Sequence, residues 1–296
     1  MGSTQSRSRN PDLRPPPSAL ITPPPFAGLT FERPRIMGVV NVTPDSFSDG
    51  GDFIDPGLAI DQGLRLVADG ADLVDVGGES TRPGSDPVPE DEELRRVLPV
   101  VQGLAGQGVL VSIDSRRSAV MRAAVDAGAA IVNDVTALTY DPAAMAVVAG
   151  AGVPVVLMHM RGEPKTMQQD PVYDDAPVDV RDYLAERVAA CEAAGIDRSR
   201  IALDPGIGFG KTVTHNLQIL NRLDVLGALG CAVVLGISRK SMIAKLDRDV
   251  PPKDRVAGSI AAALQGIRRG AHILRVHDVA ETRQAVAIWL AVEEAG

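Results

Sequence analysis

Residues 109–134 read VLVSIDSRRSAVMRAAVDAGAAIVND. A short apolar run, Val109–Ile113, stops at Asp114. Helical spacing follows over Ser115–Ala127, with Ser115 placed to cap the helix N-terminus. Gly128 supplies the turn that ends the helix, and a second apolar run, Ala130–Val132, stops at Asn133. Strand, helix and strand joined this closely make a βαβ unit, whose two strands are parallel. The runs are apolar nearly throughout, as expected of strands buried on both faces.

The same unit recurs on both sides. Upstream, Ile36–Val42 and Leu73–Val76 are strand runs, with helical stretches over Asp55–Ala68 and Pro89–Leu104. Downstream, strand runs cover Val153–Met158, Arg200–Leu203, Ala232–Gly236 and His272–Val276. Helical stretches lie at Asp141–Ala149, Pro177–Ala194, Asn216–Leu229, from Ser241, at Asp254–Arg269 and at Ala280–Val292. Gly70, Gly128, Gly152, Gly195, Gly230 and Gly270 stand between a helix and the next strand. Eight alternating units most simply close into a (β/α)8 TIM barrel, here a single domain over residues 35–296. A doubly wound open sheet is the alternative.

Each strand run stops at or just before a polar residue: Asn41, Asp75, Asp114, Asn133, His159, Asp204, Ser238 and Arg275. In a barrel those ends share the face where such enzymes do their chemistry.

Composition narrows the classes. The chain has 296 residues, 45% hydrophobic, with 3% aromatics and a net charge of −8. That charge weighs against a nucleic-acid partner. Cys191 and Cys231 match no zinc pattern and read as buried free thiols in a reducing compartment. No apolar run approaches the ~18 residues of a membrane span, and no secretory leader is evident, so cytoplasm is the expected location. Met1-Gly2 with Ser6 fits a myristoylation pattern, which is short enough to arise by chance. Residues 1–34, with Pro15–Pro17 and Pro23–Pro25, read as a flexible, Pro-rich tail.

Five motifs carry chemistry. NVTPDSFSDGG (41–51) is a long loop that sets Asp45, Phe47 and Asp49 over the barrel mouth, as a lid or as a solvated connection. DVGGESTRPGS (75–85) has Gly77-Gly78 for close ligand approach; its plainer reading is a charged loop with a Glu79–Arg82 ion pair. Asp114, Asn133 and Asp204 each end a strand. They could accept the N–H edge of a planar heterocycle, bind a hard cation, or cap helices. DPGIGFGKT (204–212) departs from both phosphate-loop and GxGxxG patterns, leaving Phe209 as an apolar wall. SRKS (238–241) and RVH (275–277) follow the last two strands, where barrels bind phosphate. Lys240, Arg275 and His277 would make an anion cradle, the helix opening at Ser241 could hold a carboxylate, and Arg239 could turn outward to a salt bridge.

NVTPDSFSDGG, DVGGESTRPG, SIDS, NDV, LDPGIGFGK, SRKS and RVHD occur in this order over about residues 35–292. In that they resemble the dihydropteroate synthase family of pterin-binding enzymes. The resemblance implies a (β/α)8 barrel, a homodimer and Mg2+. It implies that 6-hydroxymethyl-7,8-dihydropterin pyrophosphate and p-aminobenzoate condense to 7,8-dihydropteroate and pyrophosphate by an SN1-like route, in folate biosynthesis and as a sulfonamide target. By that resemblance Asp114, Asn133, Asp204 and Lys240 hold the pterin. Asn41 contacts Mg2+ or the pyrophosphate, which Thr81, Arg82, Arg275 and His277 also hold. Phe47, Thr81, Arg82, Pro83, Phe209, Ser238 and Ser241 shape the p-aminobenzoate pocket. Asp49, Lys240, Arg275 and His277 are the catalytic group, Asp49 stabilising a cationic intermediate. Corrinoid-dependent methyltransferases share the Asp114, Asn133 and Asp204 positions but do not account for STRPG, SRKS and RVHD. A non-catalytic pterin binder would have lost such residues. Asp75 and His159 take no assigned role.

Overall fold

The structure, a computed structural model, describes residues 22–43, 55–80, 85–163 and 165–295. Eight parallel strands close in chain order into a barrel. They are β1 (Arg35–Asn41), β2 (Leu73–Gly77), β3 (Val111–Asp114), β4 (Ile131–Asp134), β5 (Val155–Met158), β6 (Ile201–Asp204), β7 (Ala232–Leu235) and β8 (Ile273–Val276). The last strand returns to the first in the register Met37↔Arg275, and β1 pairs onward as Val39↔Asp75. The open-sheet alternative is excluded by this closure.

Around the barrel run α1 (Pro56–Ala68), α2 (Glu90–Ala105), α3 (Ser118–Asp126), α4 (Ala144–Ala151), α5 (Ala176–Ala193), α6 (Val213–Asn221), α7 (Ser241–Leu246), α8 (Val256–Arg268) and α9 (Val279–Glu294). The six glycines between helix and strand all have positive φ, between 69° and 110°. A side chain there would be strained, so the turns are written into the sequence.

Several helix starts differ from the spacing, among them Ala144 for the expected Asp141 and Val256 for Asp254; two have a visible cause. α3 begins at Ser118, not Ser115, because the Ser118 amide donates to Asp141 Oδ2 (2.8 Å) from the following loop. The Ser115 hydroxyl instead accepts from the Arg117 amide at 3.2 Å. α6 starts at Val213, because Thr212 and His215 form a reciprocal capping box. Its expected continuation to Leu229 breaks at Arg222 into a 3-10 segment, Leu223–Leu229.

The expected tail is too long. Phe26 is fully buried against Met37, Leu73, Ile131, Val156, Ala202, Ala232, Val234 and Ile273, so it stoppers the barrel floor. A tight turn presents it: Phe26 and Leu29 exchange backbone hydrogen bonds of 3.0 and 2.9 Å, with Ala27 and Gly28 at positive φ. Arg33 then forks onto Asp72 (2.6 and 3.0 Å), whose carboxylate also takes the Ile36 amide at 2.8 Å. The packed unit therefore includes residues 22–34, while residues 1–21 lie outside the described ones. Phe26→Ala is expected to cost about 3–5 kcal/mol, because the floor has nothing else to fill the void. Urea denaturation measures it, and a loss below about 1 kcal/mol would show the stopper to be dispensable.

Candidate active site

Strand alternation sets which side chains enter the barrel. Leu73, Ile131, Ala202 and Ile273 belong to the floor cluster. Asp75, Asn133, Asp204 and Arg275 stand two residues further along the same strands, so they point inward one layer higher. Met37 leads in the same way through Val39 to Asn41, which ends β1 half-buried.

This layer is a bonded network. Arg275 Nε donates to Asp75 Oδ2 (2.6 Å), and an Nη donates to Asp114 Oδ2 (2.8 Å). Asn133 Nδ2 donates to the same Asp75 oxygen at 3.0 Å. Asp75 is fully buried and joins two assigned site residues, so it is a core member of the site and not a loop support. Its other oxygen, Oδ1, and the neighbouring Ser112 hydroxyl are buried with no hydrogen-bond partner among the described residues. Burial pushes the Asp114 carboxyl up to about 7; Arg275 opposes this, while Asp75 adds to it. Burial also lowers the affinity of Arg275 for its proton, but Asp75 and Asp114 outweigh that and hold it firmly cationic. The guanidinium is thus already committed to two carboxylates, more tightly than a simple anion cradle requires.

Asp204 is buried at the end of β6, and its Oδ1 accepts from the Gly206 amide at 2.7 Å. Burial raises its pKa, against the pull of the Gly206 N–H and the Lys240, Arg275 and Lys211 charges. The loop that follows lies directly on the β5 loop. A Cβ on Gly206, at φ +66°, would come within 1.9 Å of the His159 carbonyl, so only glycine fits. His159 does not enter the mouth. It sits under this loop, with Nδ1 2.9 Å from Lys211 Nζ and its ring edge-on to Tyr183. Burial and the Lys211 charge push its pKa down to about 2, so it stays neutral.

After β7, Arg239 takes a left-handed conformation (φ 59°), pinned where the Ser259 hydroxyl accepts its amide at 2.9 Å. The turn sends neighbouring side chains apart. Arg239 forks outward onto Asp278, as expected of it, while Lys240 Nζ lies 4.2 Å above the Phe209 ring. That cation–π contact joins an assigned pterin residue to an assigned p-aminobenzoate residue. Ser238 is buried; its hydroxyl accepts from the His277 amide (3.2 Å) and lies 3.0 Å from His277 Nδ1. Ser241 is exposed and opens α7, a helix of six residues.

In the second loop Glu79 pairs with Arg116 (3.0 Å) and Arg117 (3.1 Å), and accepts from the Val88 amide. Its expected partner Arg82 lies outside the described residues, as do Thr81, Pro83, Asp45, Phe47 and Asp49. Arg116 and Arg117 had no assigned role; the signal available was two adjacent arginines just beyond SIDS. Cys191 and Cys231 are free and buried, as expected.

Among the described residues no group of three or more His, Cys, Asp or Glu side chains could hold a metal ion. The described residues by themselves therefore form no protein cage for a cation. Mg2+ carried by a pyrophosphate fits the site, because that ion needs few protein oxygens, and the Asn41 amide at the rim offers one.

The chain matches the family model described as pterin binding enzyme over residues 37–277. It is 45% identical over 261 residues to the dihydropteroate synthase of Escherichia coli K12, covering 88% of this chain and 92% of that protein. A Xanthomonas albilineans dihydropteroate synthase solved with 4-aminobenzoic acid is 51% identical, with a TM-score of 0.85, covering 92% of this chain and 98% of that one. A Burkholderia cenocepacia dihydropteroate synthase complexed with 7,8-dihydropteroate is 45% identical, with a TM-score of 0.81, covering 90% and 94%. Barrel, inward polar layer and sequence agree: this chain belongs to the pterin-binding enzyme family.

Proposed function

We propose that this protein is a dihydropteroate synthase, a transferase of folate biosynthesis. It condenses 6-hydroxymethyl-7,8-dihydropterin pyrophosphate with p-aminobenzoate, giving 7,8-dihydropteroate and pyrophosphate. The observation that carries this reading is the inward layer of Asp114, Asn133 and Asp204, in which Arg275 binds Asp114 directly and Asn133 through Asp75, together with the Lys240–Phe209 pair. A heterocycle with several N–H donors needs such acceptors in a dry pocket, and a flat arylamine needs an apolar wall beside them.

In this reading Asp204, Asp114 and Asn133 accept from or donate to the pterin ring, with Lys240 at its edge. Asp75 fixes the aim of both Asn133 and Arg275. Arg275, with His277, Thr81 and Arg82, meets the pyrophosphate, and Asn41 holds its Mg2+. When bound, Mg2+ neutralises charge on the leaving oxygens. The electron-rich reduced pterin spreads the positive charge left on its methylene carbon, which favours C–O cleavage before the weak arylamine attacks. Asp49 stabilises that cation. Phe47, Pro83, Phe209, Ser238 and Ser241 shape the p-aminobenzoate pocket, where sulfonamides also bind. Closure of the first two loops would exclude water from the cation.

The protein acts in the cytoplasm as a homodimer, without nucleic-acid or membrane partners. Ile288 and Val292, exposed one helical turn apart on α9, support self-association. Among the described residues no helix is long and apolar enough to cross a membrane.

The test is turnover of the purified protein with both substrates and Mg2+. Dihydropteroate should form together with pyrophosphate, and a sulfonamide should inhibit it. Failure to form dihydropteroate would reject the reading, and corrinoid-dependent methyl transfer would replace it. Within the bound complex, a C–O cleavage rate that rises with p-aminobenzoate concentration would reject the stepwise order.

A further inference from the structure

We infer that Lys211 is a positioning residue for this site: its buried ammonium fixes the loop that aims both Asp204 and Phe209. The inference rests on the reaction proposed above.

Lys211 is 2% exposed. Its Nζ lies among four polar atoms of two loops: three carbonyls, of Gly206 (2.8 Å), Phe209 (3.0 Å) and His159 (3.2 Å), which match its three N–H groups, and His159 Nδ1 at 2.9 Å. No carboxylate is among them. An ammonium surrounded by converging carbonyls is held by dipoles, and it in turn satisfies carbonyls buried away from water; the Gly206 carbonyl also accepts from the Phe209 amide at 3.1 Å. Burial drives its proton affinity down, Asp204 supports the charge and Lys240 opposes it. A buried cation at such cost needs a reason beyond filling space.

The reason lies in what those carbonyls belong to. Gly206 is gripped on both sides, its carbonyl oxygen by Lys211 and its N–H by Asp204 Oδ1. Releasing Lys211 leaves the Gly206 oxygen only the Phe209 amide, a contact within the loop, so the loop loses this tie to the β5 side and the Asp204 carboxylate loses that anchor for its orientation. The Phe209 carbonyl is held likewise, and the Phe209 ring carries Lys240 on its face. One ammonium thus sets the register of a pterin acceptor and of the p-aminobenzoate wall. Tyr173 Oη on the Gly210 carbonyl (2.8 Å) and the Asn216 carbonyl oxygen, which accepts the Gly208 amide (2.8 Å), hold only the far side of the loop.

The experiment compares Lys211→Met, Lys211→Arg and His159→Leu with the unaltered enzyme, at a temperature where circular dichroism shows each one folded. Lys211→Met is expected to raise KM for both substrates by about tenfold or more, and to weaken 7,8-dihydropteroate binding in calorimetry to match. Lys211→Arg, which keeps the charge and the donors, should recover part of both. A merely structural lysine would lower the melting temperature and leave the KM values of the folded protein unchanged; that result overturns the inference. Should Lys211→Met fail to fold, His159→Leu decides. Losing the ring, with its Nδ1 contact and its packing on Tyr183, while keeping the His159 carbonyl is expected to raise both KM values by roughly threefold, and unchanged values overturn the inference. Inactivity of the unaltered enzyme would instead reject the proposed reaction.

Discussion

Replacing Arg275 by methionine is expected to destabilise the fold by about 3–5 kcal/mol and to remove nearly all turnover. Methionine matches the stem in length and polarity, so what is lost is the guanidinium. That group is the bonded partner of Asp75, which is fully buried, and of Asp114, whose side chain is 13% exposed. Without it, two carboxylates face each other inside the barrel. Removing one partner of a buried pair costs more than the pair contributes, because the remaining charge keeps its desolvation penalty.

The pH dependence distinguishes this from a packing defect. The Asp114 carboxyl, already pushed up to about 7 by burial, is held down chiefly by Arg275 and pushed further by Asp75. Its folded value lies above its unfolded one, so between about 4 and 7 the native state carries a proton that the unfolded chain has lost. Stability contributed by this group is therefore present at low pH and lost as pH rises through the folded value. Arg275→Met raises that folded value further, which widens the window upward. Urea denaturation should show the gap between variant and parent growing from pH 5 to pH 8. A gap independent of pH would mean that the carboxylates do not feel the arginine. Turnover should fall at least ~10²-fold even where the variant is folded, since on the proposed reaction the charge that Arg275 sets against the pyrophosphate is gone.

These partners also show where sequence reading stops. The strand ends themselves were legible: a polar residue closing an apolar run needs no fold to be noticed, and alternation tells which way it points. Partners were not. Arg275 meets Asp114 and Asp75 across 161 and 200 residues of chain, distances that only barrel closure makes short. Asp75 took no role from sequence because its neighbours there are valines and glycines, while its bonds go to β4 and β8. Glu79 was matched with Arg82, the nearest cation in sequence, which lies outside the described residues; nothing local pointed to Arg116 and Arg117, which reach it from the loop after β3. Lys211 was read only as a failed phosphate-loop lysine, since nothing local indicates that three carbonyls will converge on it. Phe26 lay in a Pro-rich stretch without periodicity, and its burial is decided by a floor built from seven other strands.

Asp204→Asn isolates the pterin contact most cleanly, and it is expected to abolish pterin binding while leaving the fold intact. Asparagine has the same shape, and its carbonyl oxygen can keep the 2.7 Å bond from the Gly206 amide, so the loop need not move. What changes is the other terminal atom. A carboxylate oxygen that accepts becomes an amide nitrogen that donates, facing the N–H edge of the pterin. Two donors then oppose each other in a site with little water to separate them, Asp204 being 6% exposed. Loss of one partner in a buried charge-assisted contact costs about 2–5 kcal/mol, or a fall in affinity of roughly thirty- to several-thousand-fold. Stability should hold or rise slightly, because the substitution removes a carboxylate whose ionised form burial disfavours. Calorimetric titration with a pterin measures the first effect and urea denaturation the second. Asp204→Ala should lose as much affinity and some stability as well, since the Gly206 amide then has no acceptor. Wild-type pterin affinity in folded Asp204→Asn would remove Asp204 from the site. It would leave Asp114, Asn133 and Lys240 to account for the pterin alone, with Asp204 reduced to a cap on the loop that Lys211 holds from below.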